Sequence, residues 1–379
     1  MPRDFLTCLA LLIASACTLR QPNADTAPAP ASPAVHIGGL RDSLWTDLGL
    51  QGLRISALAY TPWGLYAGVD HQGVFRSDSG GGKWARVGLE NFTVSSLVFV
   101  PGHHPRVLAG VRTRAPVPSG EPGLFASPNS GRTWEPSDAG LQTASVLGLA
   151  ADPAHPNRVY MRSSRGLLRS GDGGRTWRYA PIGGSGAVHA LLVSPWGDGR
   201  LWYAASNSLE GARVGRSEDQ GETWHHYPAP SLSVLVADPI DPERLWADGG
   251  NHLARSDDAG RTWAAHGLPL GTGQTINSLL FIGRTMYVSA RGELSWSGDQ
   301  ETNAIYQSQD FGQTWRAIAL PAGVREVRTL AADPNGDLVI GSDAGIWRLN
   351  PSGTARRVQA QEPAHGQASR GASREFDFP

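Results

Sequence analysis

Two sets of residues in this chain have the types and spacing that chemistry requires. Four carboxylates, Asp172, Asp219, Asp258 and Asp310, recur at one place in a repeated segment, as a row of acid catalysts would. The second set is cationic: Arg112, Arg114, Arg162, Arg165, Arg213 and Arg291, with Trp296 and the acids Glu121, Glu210, Glu293, Asp299 and Glu301 among them. Arginines converging on one rim can grip a carboxylate, a phosphate or an acidic partner surface through forked hydrogen bonds. The competing reading is a solvated surface on which the same arginines and acids neutralise one another in weak pairs. Two rim carboxylates about 5–10 Å apart would suit glycoside hydrolysis.

The elements that position these residues are repeats. Six segments share one grammar: Ser77–Trp84, Ser127–Trp134, Ser170–Trp177, Ser217–Trp224, Ser256–Trp263 and Ser308–Trp315. Their tryptophans, Trp84, Trp134, Trp177, Trp224, Trp263 and Trp315, lie 50, 43, 47, 39 and 52 residues apart. A period in the forties with variable spacing predicts four short strands per unit, with insertions confined to loops. Seven apolar runs begin the units, at 55–60, 94–100, 146–151, 188–194, 232–237, 276–282 and 327–332. The ends are complementary. Trp45 opens a run like those that follow each repeated segment, with no three strands before it, while 327–349 supplies three strands with no tryptophan strand after them. Joined, they predict a closed ring of seven blades, which leaves no open sheet at either end of the array. A weaker alternative has Arg356–Val358 end the last blade itself.

These segments resemble the Asp-box, or BNR, repeat (Ser-x-Asp-x-Gly-x-Thr-Trp) of sialidase-like, sortilin-like and xyloglucanase-like propellers, and of single propellers of the photosystem II assembly-factor type. The departures are Ser79 and Asn129 at the Asp position and Lys83 at the Thr position. The expected fold class is an all-β, seven-bladed propeller of four-stranded antiparallel blades. The resemblance implies that the boxes are structural and lie opposite any active face. Local chemistry agrees: an Asp can accept N–H groups of its own turn, and glycine tolerates φ > 0. A sialidase mechanism is disfavoured, because the Arg-Ile-Pro signature is missing and no tyrosine falls in the expected rim loops. Xyloglucanase-like enzymes place two acids in a cleft between tandem propellers, and this chain has length for one.

Composition narrows the rest. In 379 residues the formal charge is −1 and 18% are charged, which excludes a strongly basic nucleic-acid binder. There is a single lysine, Lys83, so the other cations are arginines, suited to fixed pairing. Both cysteines, Cys8 and Cys17, lie near the N-terminus, and the body has no thiolate metal site. His103–His104 and His225–His226 are adjacent, so each pair points to opposite strand faces and makes a poor shared metal site. Asp152, Asp238 and Asp333 each precede proline at one repeat position and read as turn initiators. No cofactor or metal is implied.

Residues 1–16 carry a dozen-residue apolar run ending in small residues before Cys17, as in a secretory signal peptide with a lipobox-like cleavage site. Residues 17–42 are a Pro/Ala-rich tether, expected to be lipidated at Cys17; a plain cleaved signal peptide is the alternative. Residues 43–359 form the ring, and 360–379 are a polar tail. The expectation is an extracytoplasmic, membrane-anchored monomer whose rim opposite the boxes binds a protein or polysaccharide. The alternatives are a sialidase-like or xyloglucanase-like glycoside hydrolase, and an assembly factor for a membrane complex.

Overall fold

A computed structural model describes residues 44–102, 104–112, 123–139, 145–183, 187–207, 211–270, 273–292, 303–350 and the backbone of 356–359. The strands assort into seven antiparallel sheets around an axis. Blade 1 is Ile55–Thr61, Gly64–Val69, Gly73–Ser77 and Ala85–Gly88, paired in that order from the axis outward. The next five begin with inner strands Thr93–Val100, Val146–Ala151, Ala187–Val193, Leu235–Ala237 and Gln274–Ile282. Blade 7 takes Val327–Ala332, Leu338–Ser342 and Gly345–Leu349 from one end of the chain and Trp45–Gly49 from the other. In that last pairing Trp45 faces Leu349 and Asp47 faces Trp347, so the ring closes by the expected joint.

The alternative closure is overturned. Arg356–Gln359 pairs with Thr314–Ile318, adding a fifth strand to the outside of blade 6 instead of ending blade 7. The fourth position of blade 7 is already taken by Trp45–Gly49, so this segment caps a neighbouring edge.

Successive antiparallel strands put the first-to-second and third-to-fourth connections at one end of each blade, and the remaining connections at the other. The repeated Ser-to-Trp segments therefore share one face, the box face, and the rim loops share the opposite face. Within the segments the Ser hydroxyl accepts the N–H of the glycine four residues on, at 2.7–2.9 Å in all six. The residue before that glycine adopts φ of 56–74°, even where it is Ser130, Gln220, Ala259 or Phe311. That left-handed pair is what turns the chain.

The core lies between blades and is built from the alternating inward residues of each strand, such as Val74, Leu108, Val214 and Ile340, all inaccessible to solvent. Tryptophan indoles lock one blade to the one before it. Trp84 donates to Leu48 O (2.6 Å), Trp134 to Val87 O (2.7 Å), Trp177 to Ser137 O (2.9 Å) and Trp315 to Gly267 O (3.1 Å). Each bond satisfies the one polar atom of a large ring that is buried, as at Trp177 and Trp315, or half-buried, as at Trp84 and Trp134.

Candidate functional site at the axial mouth

The four aspartates of the boxes face their own turns. Asp172 Oδ1 accepts the N–H groups of Arg175 and Thr176, both at 2.9 Å, and Oδ2 accepts the Thr176 hydroxyl. Asp219 and Asp258 repeat the set, and Asp310 keeps its Thr314 bonds. Desolvation pushes the Asp219 carboxyl up, but bonds from Thr223, Ser217 and the Glu222 N–H outweigh it, and the pKa falls to about 2. A carboxylate so held is a poor proton donor. Asp152, Asp238 and Asp333 are buried at the first turn of their blades and accept nearby N–H groups, Asp238 also taking the Trp246 indole N–H at 3.0 Å.

The axis itself is a channel with an apolar collar. The fourth residue of each inner apolar run is leucine: Leu58, Leu97, Leu149, Leu191, Leu235, Leu279 and Leu330. All but Leu97 and Leu149 line a cavity of about 220 Å³ that extends toward the box face past Tyr60, Val193 and Phe281. Nothing in the composition singles out this collar; it becomes legible only when the seven runs are aligned by their strands.

On the rim face the channel opens into a second cavity of about 300 Å³ lined by Ser95, Ser96, Gly148, Arg162, His189 and Ser233. Its walls are made by β-bulges. Blades 1–4, 6 and 7 all shift register at the second residue of the inner run, as between Ile55 and Ala57 or Val146 and Gly148. The bulged side chain reaches the next blade: Ser56 donates to Val94 O (2.6 Å), Ser95 to Val146 O (2.6 Å) and Asn277 to Val327 O (2.8 Å).

Blade 3 has Leu147 at that place, which cannot donate. Arg162, from the neighbouring strand, supplies the bond instead. Its guanidinium donates to Leu147 O (3.2 Å), to Val188 O (3.4 Å) and to His189 O. Gly148 makes the room, since a Cβ there would lie 3.1 Å from Arg162 Nε. Burial first, and the charge of Arg112 second, pull the Arg162 pKa down to about 10, so the side chain stays cationic at neutral pH.

The expected rim arginines thus divide. Arg112 is exposed at the end of its strand, beside Arg162. Arg213 donates to Gly183 O at 2.7 Å, and Arg165 stands exposed on the Ser163–Gly166 turn. Arg291 lies on the other side of the ring and pairs with Glu326 at 3.5 Å. Glu326 also faces Arg54, and Asp70 holds Arg328 at 2.8 Å, so blades 6, 7 and 1 share a network in which each of these arginines has a carboxylate partner. Arg114, Trp296 and Cys17 lie outside the described residues, as do Glu121, Glu210, Glu293, Asp299 and Glu301. Among the described residues no three of His, Cys, Asp and Glu gather as metal ligands.

No protein-family model matches the chain. It is similar to a xyloglucanase of Paenibacillus sp, 27% identical over 238 residues, which is 55% of this chain and 20% of that protein. The chain therefore spans about a fifth of the length of that curated relative. Among solved structures, the GH74 xyloglucanase from Xanthomonas campestris superposes with a TM-score of 0.59 at 18% identity, over 80% of this chain and 53% of that one. YCF48 bound to D1 peptide superposes with a TM-score of 0.57 at 18% identity, over 84% of this chain and 98% of that one. At such identities the shared property is the seven-bladed propeller fold.

Proposed function

We propose that this propeller is an extracytoplasmic binding module that holds an anionic segment of a partner protein across the rim-face mouth, on the side of blades 2–4. The observation that carries it is the state of Arg162. Its guanidinium sits at the mouth with carbonyls as partners and, among the described residues, no carboxylate, and Arg112 stands beside it. The arginines across the ring, Arg54, Arg291 and Arg328, each already have a carboxylate partner in Asp70 or Glu326, which favours the blade 2–4 side as the place where an incoming carboxylate gains most. The YCF48 propeller, spanned almost entirely by this chain, is itself seen with a peptide. The signal-like segment and Cys17 support export and lipid anchoring, and a tethered binder suits assembly of a membrane complex.

A pull-down from solubilised membranes tests the reading. Arg112→Ala with Arg213→Ala should abolish recovery of partners that the wild type retains at low salt, and Arg291→Ala should not. Equal recovery by all three proteins would sink it.

Similarity to xyloglucanases favours a second reading, hydrolysis of a β-glucan at the same rim. Release of reducing ends from xyloglucan, measured beside a panel of aryl glycosides, decides between the two.

A further inference from the structure

We infer that the box face is a lipid-facing surface, on which Trp196 and Ile240 dip into the interface of the bilayer that tethers the chain. This rests on the anchoring proposed above. Trp196 is 45% exposed and Ile240 47%, whereas every other described tryptophan is buried or half-buried. The two occupy the same place in successive blades, each following Pro195 or Pro239 in the connection between first and second strands. That connection lies on the box face. The two turns are tied to each other by Arg200, which pairs with Asp198 beside Trp196 and with Glu243 beyond Ile240, both at 2.6 Å. The Trp196 turn also rests on Ala154 of blade 3, so close that a Cβ at Gly197 would meet it at 2.9 Å. The apolar pair is therefore held out from a rigid base.

The direction of the chain supplies the occupant. Trp45 pairs with Leu349, the last residue of a strand that runs toward the box face, and Leu44 O accepts the Asn350 N–H at 2.9 Å. The residues before Leu44 thus join the ring on the box face, and an anchor at Cys17 would draw that face toward the membrane. Tryptophan beside an aliphatic side chain is the pattern that settles at a headgroup boundary. A sugar-binding platform would need free donors and acceptors beside the indole. Here the flanking Asp198, Arg200, Glu243 and Arg244 are spent on ion pairs. The arginine-bearing mouth would then point away from the membrane, toward its partner.

The full chain, and Cys17→Ala, Trp196→Phe and Trp196→Ser/Ile240→Ser variants, are mixed with vesicles of phosphatidylethanolamine and phosphatidylglycerol containing shallowly brominated lipid. Co-sedimentation reports anchoring; quenching of tryptophan emission reports contact by the face. The expected result is quenching of about one indole's share in the wild type, absent in Trp196→Phe, and about tenfold weaker partitioning of the double variant in the Cys17→Ala background. Sedimentation with no quenching that depends on Trp196 overturns the inference and leaves the anchor standing. Quenching that persists in Cys17→Ala supports the face while removing the anchor. Failure to sediment at all overturns both. Retention on insoluble glucan through Trp196, without lipid quenching, would reassign the patch to carbohydrate and overturn the inference.

Discussion

The indole of Trp45 donates to the carbonyl of Ala319 at 2.7 Å, joining positions 274 apart in sequence. It is the same bond that Trp84, Trp134, Trp177 and Trp315 make to the blade before theirs, here formed across the seam of the ring. Trp45 is 4% exposed and packs with Ile305, Ile318 and Leu338. Trp45→Phe should therefore cost about 1 kcal/mol for the lost bond. Trp45→Ala should cost about 3–5 kcal/mol, since it empties a large site at the seam. Urea denaturation monitored by circular dichroism reads both. If Trp45→Ala unfolds at the wild-type midpoint, the first strand does not seal the ring.

Acid should loosen the box turns in a defined window. The carboxyls of Asp172, Asp219, Asp258 and Asp310 are all lowered from 3.8, Asp219 to about 2, by hydrogen bonds that exceed their desolvation. A carboxylate with a depressed native pKa stabilises the fold fully above its unfolded value and loses that contribution as pH falls through the native one. The melting temperature should decline between about pH 4 and pH 2. Asp219→Asn should start lower at pH 7 and lose less across the window. A parallel decline in wild type and variant would show that this turn is not the source.

The first repeated segment is the weakest of the six. Ser79 stands where Asp accepts two N–H groups elsewhere, and its hydroxyl donates to Gly81 O instead. Gly81 and Gly82 take φ of 141° and 75°, so the turn follows a different path from its counterparts. Replacing Ser79, Gly82 and Lys83 together by Asp, Arg and Thr recreates the segment around Asp172 and should raise stability by about 1 kcal/mol. The second segment needs no repair, because Asn129 Oδ1 still accepts the Thr133 N–H at 2.9 Å. A neutral or destabilising result in calorimetry would mean that the local path at Gly81–Gly82 is imposed by Leu48, whose carbonyl accepts the Gly82 N–H at 2.7 Å.

The blade count and the closing joint could be read from the sequence because both are written locally. Each Ser-to-Trp segment carries its own turn chemistry, and the unmatched Trp45 run and the three final strands each announce what they lack. The rim was less legible. Arg291 and Arg162 look alike in sequence, yet one is neutralised by Glu326 and the other is folded onto carbonyls of the adjoining blade. Such distinctions depend on which residue of one blade meets which residue of the next, and loop spacing does not encode that. The leucine collar was hidden for another reason. Its members sit in mostly apolar runs, where a repeated leucine draws no notice until the runs are set side by side.

Arg162 carries two roles that mutation can separate. It provides the link to blade 4 that Leu147 cannot, and it contributes charge at the mouth. Arg162→Ala should lose both, leaving the carbonyls of Val188 and His189 without this donor at a cost of about 2–3 kcal/mol. Leu147→Ser places a hydroxyl where Ser56 and Ser95 have theirs, each donating at 2.6 Å to the next inner strand. In the Arg162→Ala background it should recover about 1 kcal/mol of the loss, read as a partial return of the denaturation midpoint. Partner binding should not return with it, because a serine restores the bond and not the charge. If Leu147→Ser restored binding along with stability, the cation at the mouth would be only a brace, and the case for an anionic ligand would fall on Arg112 and Arg213 alone.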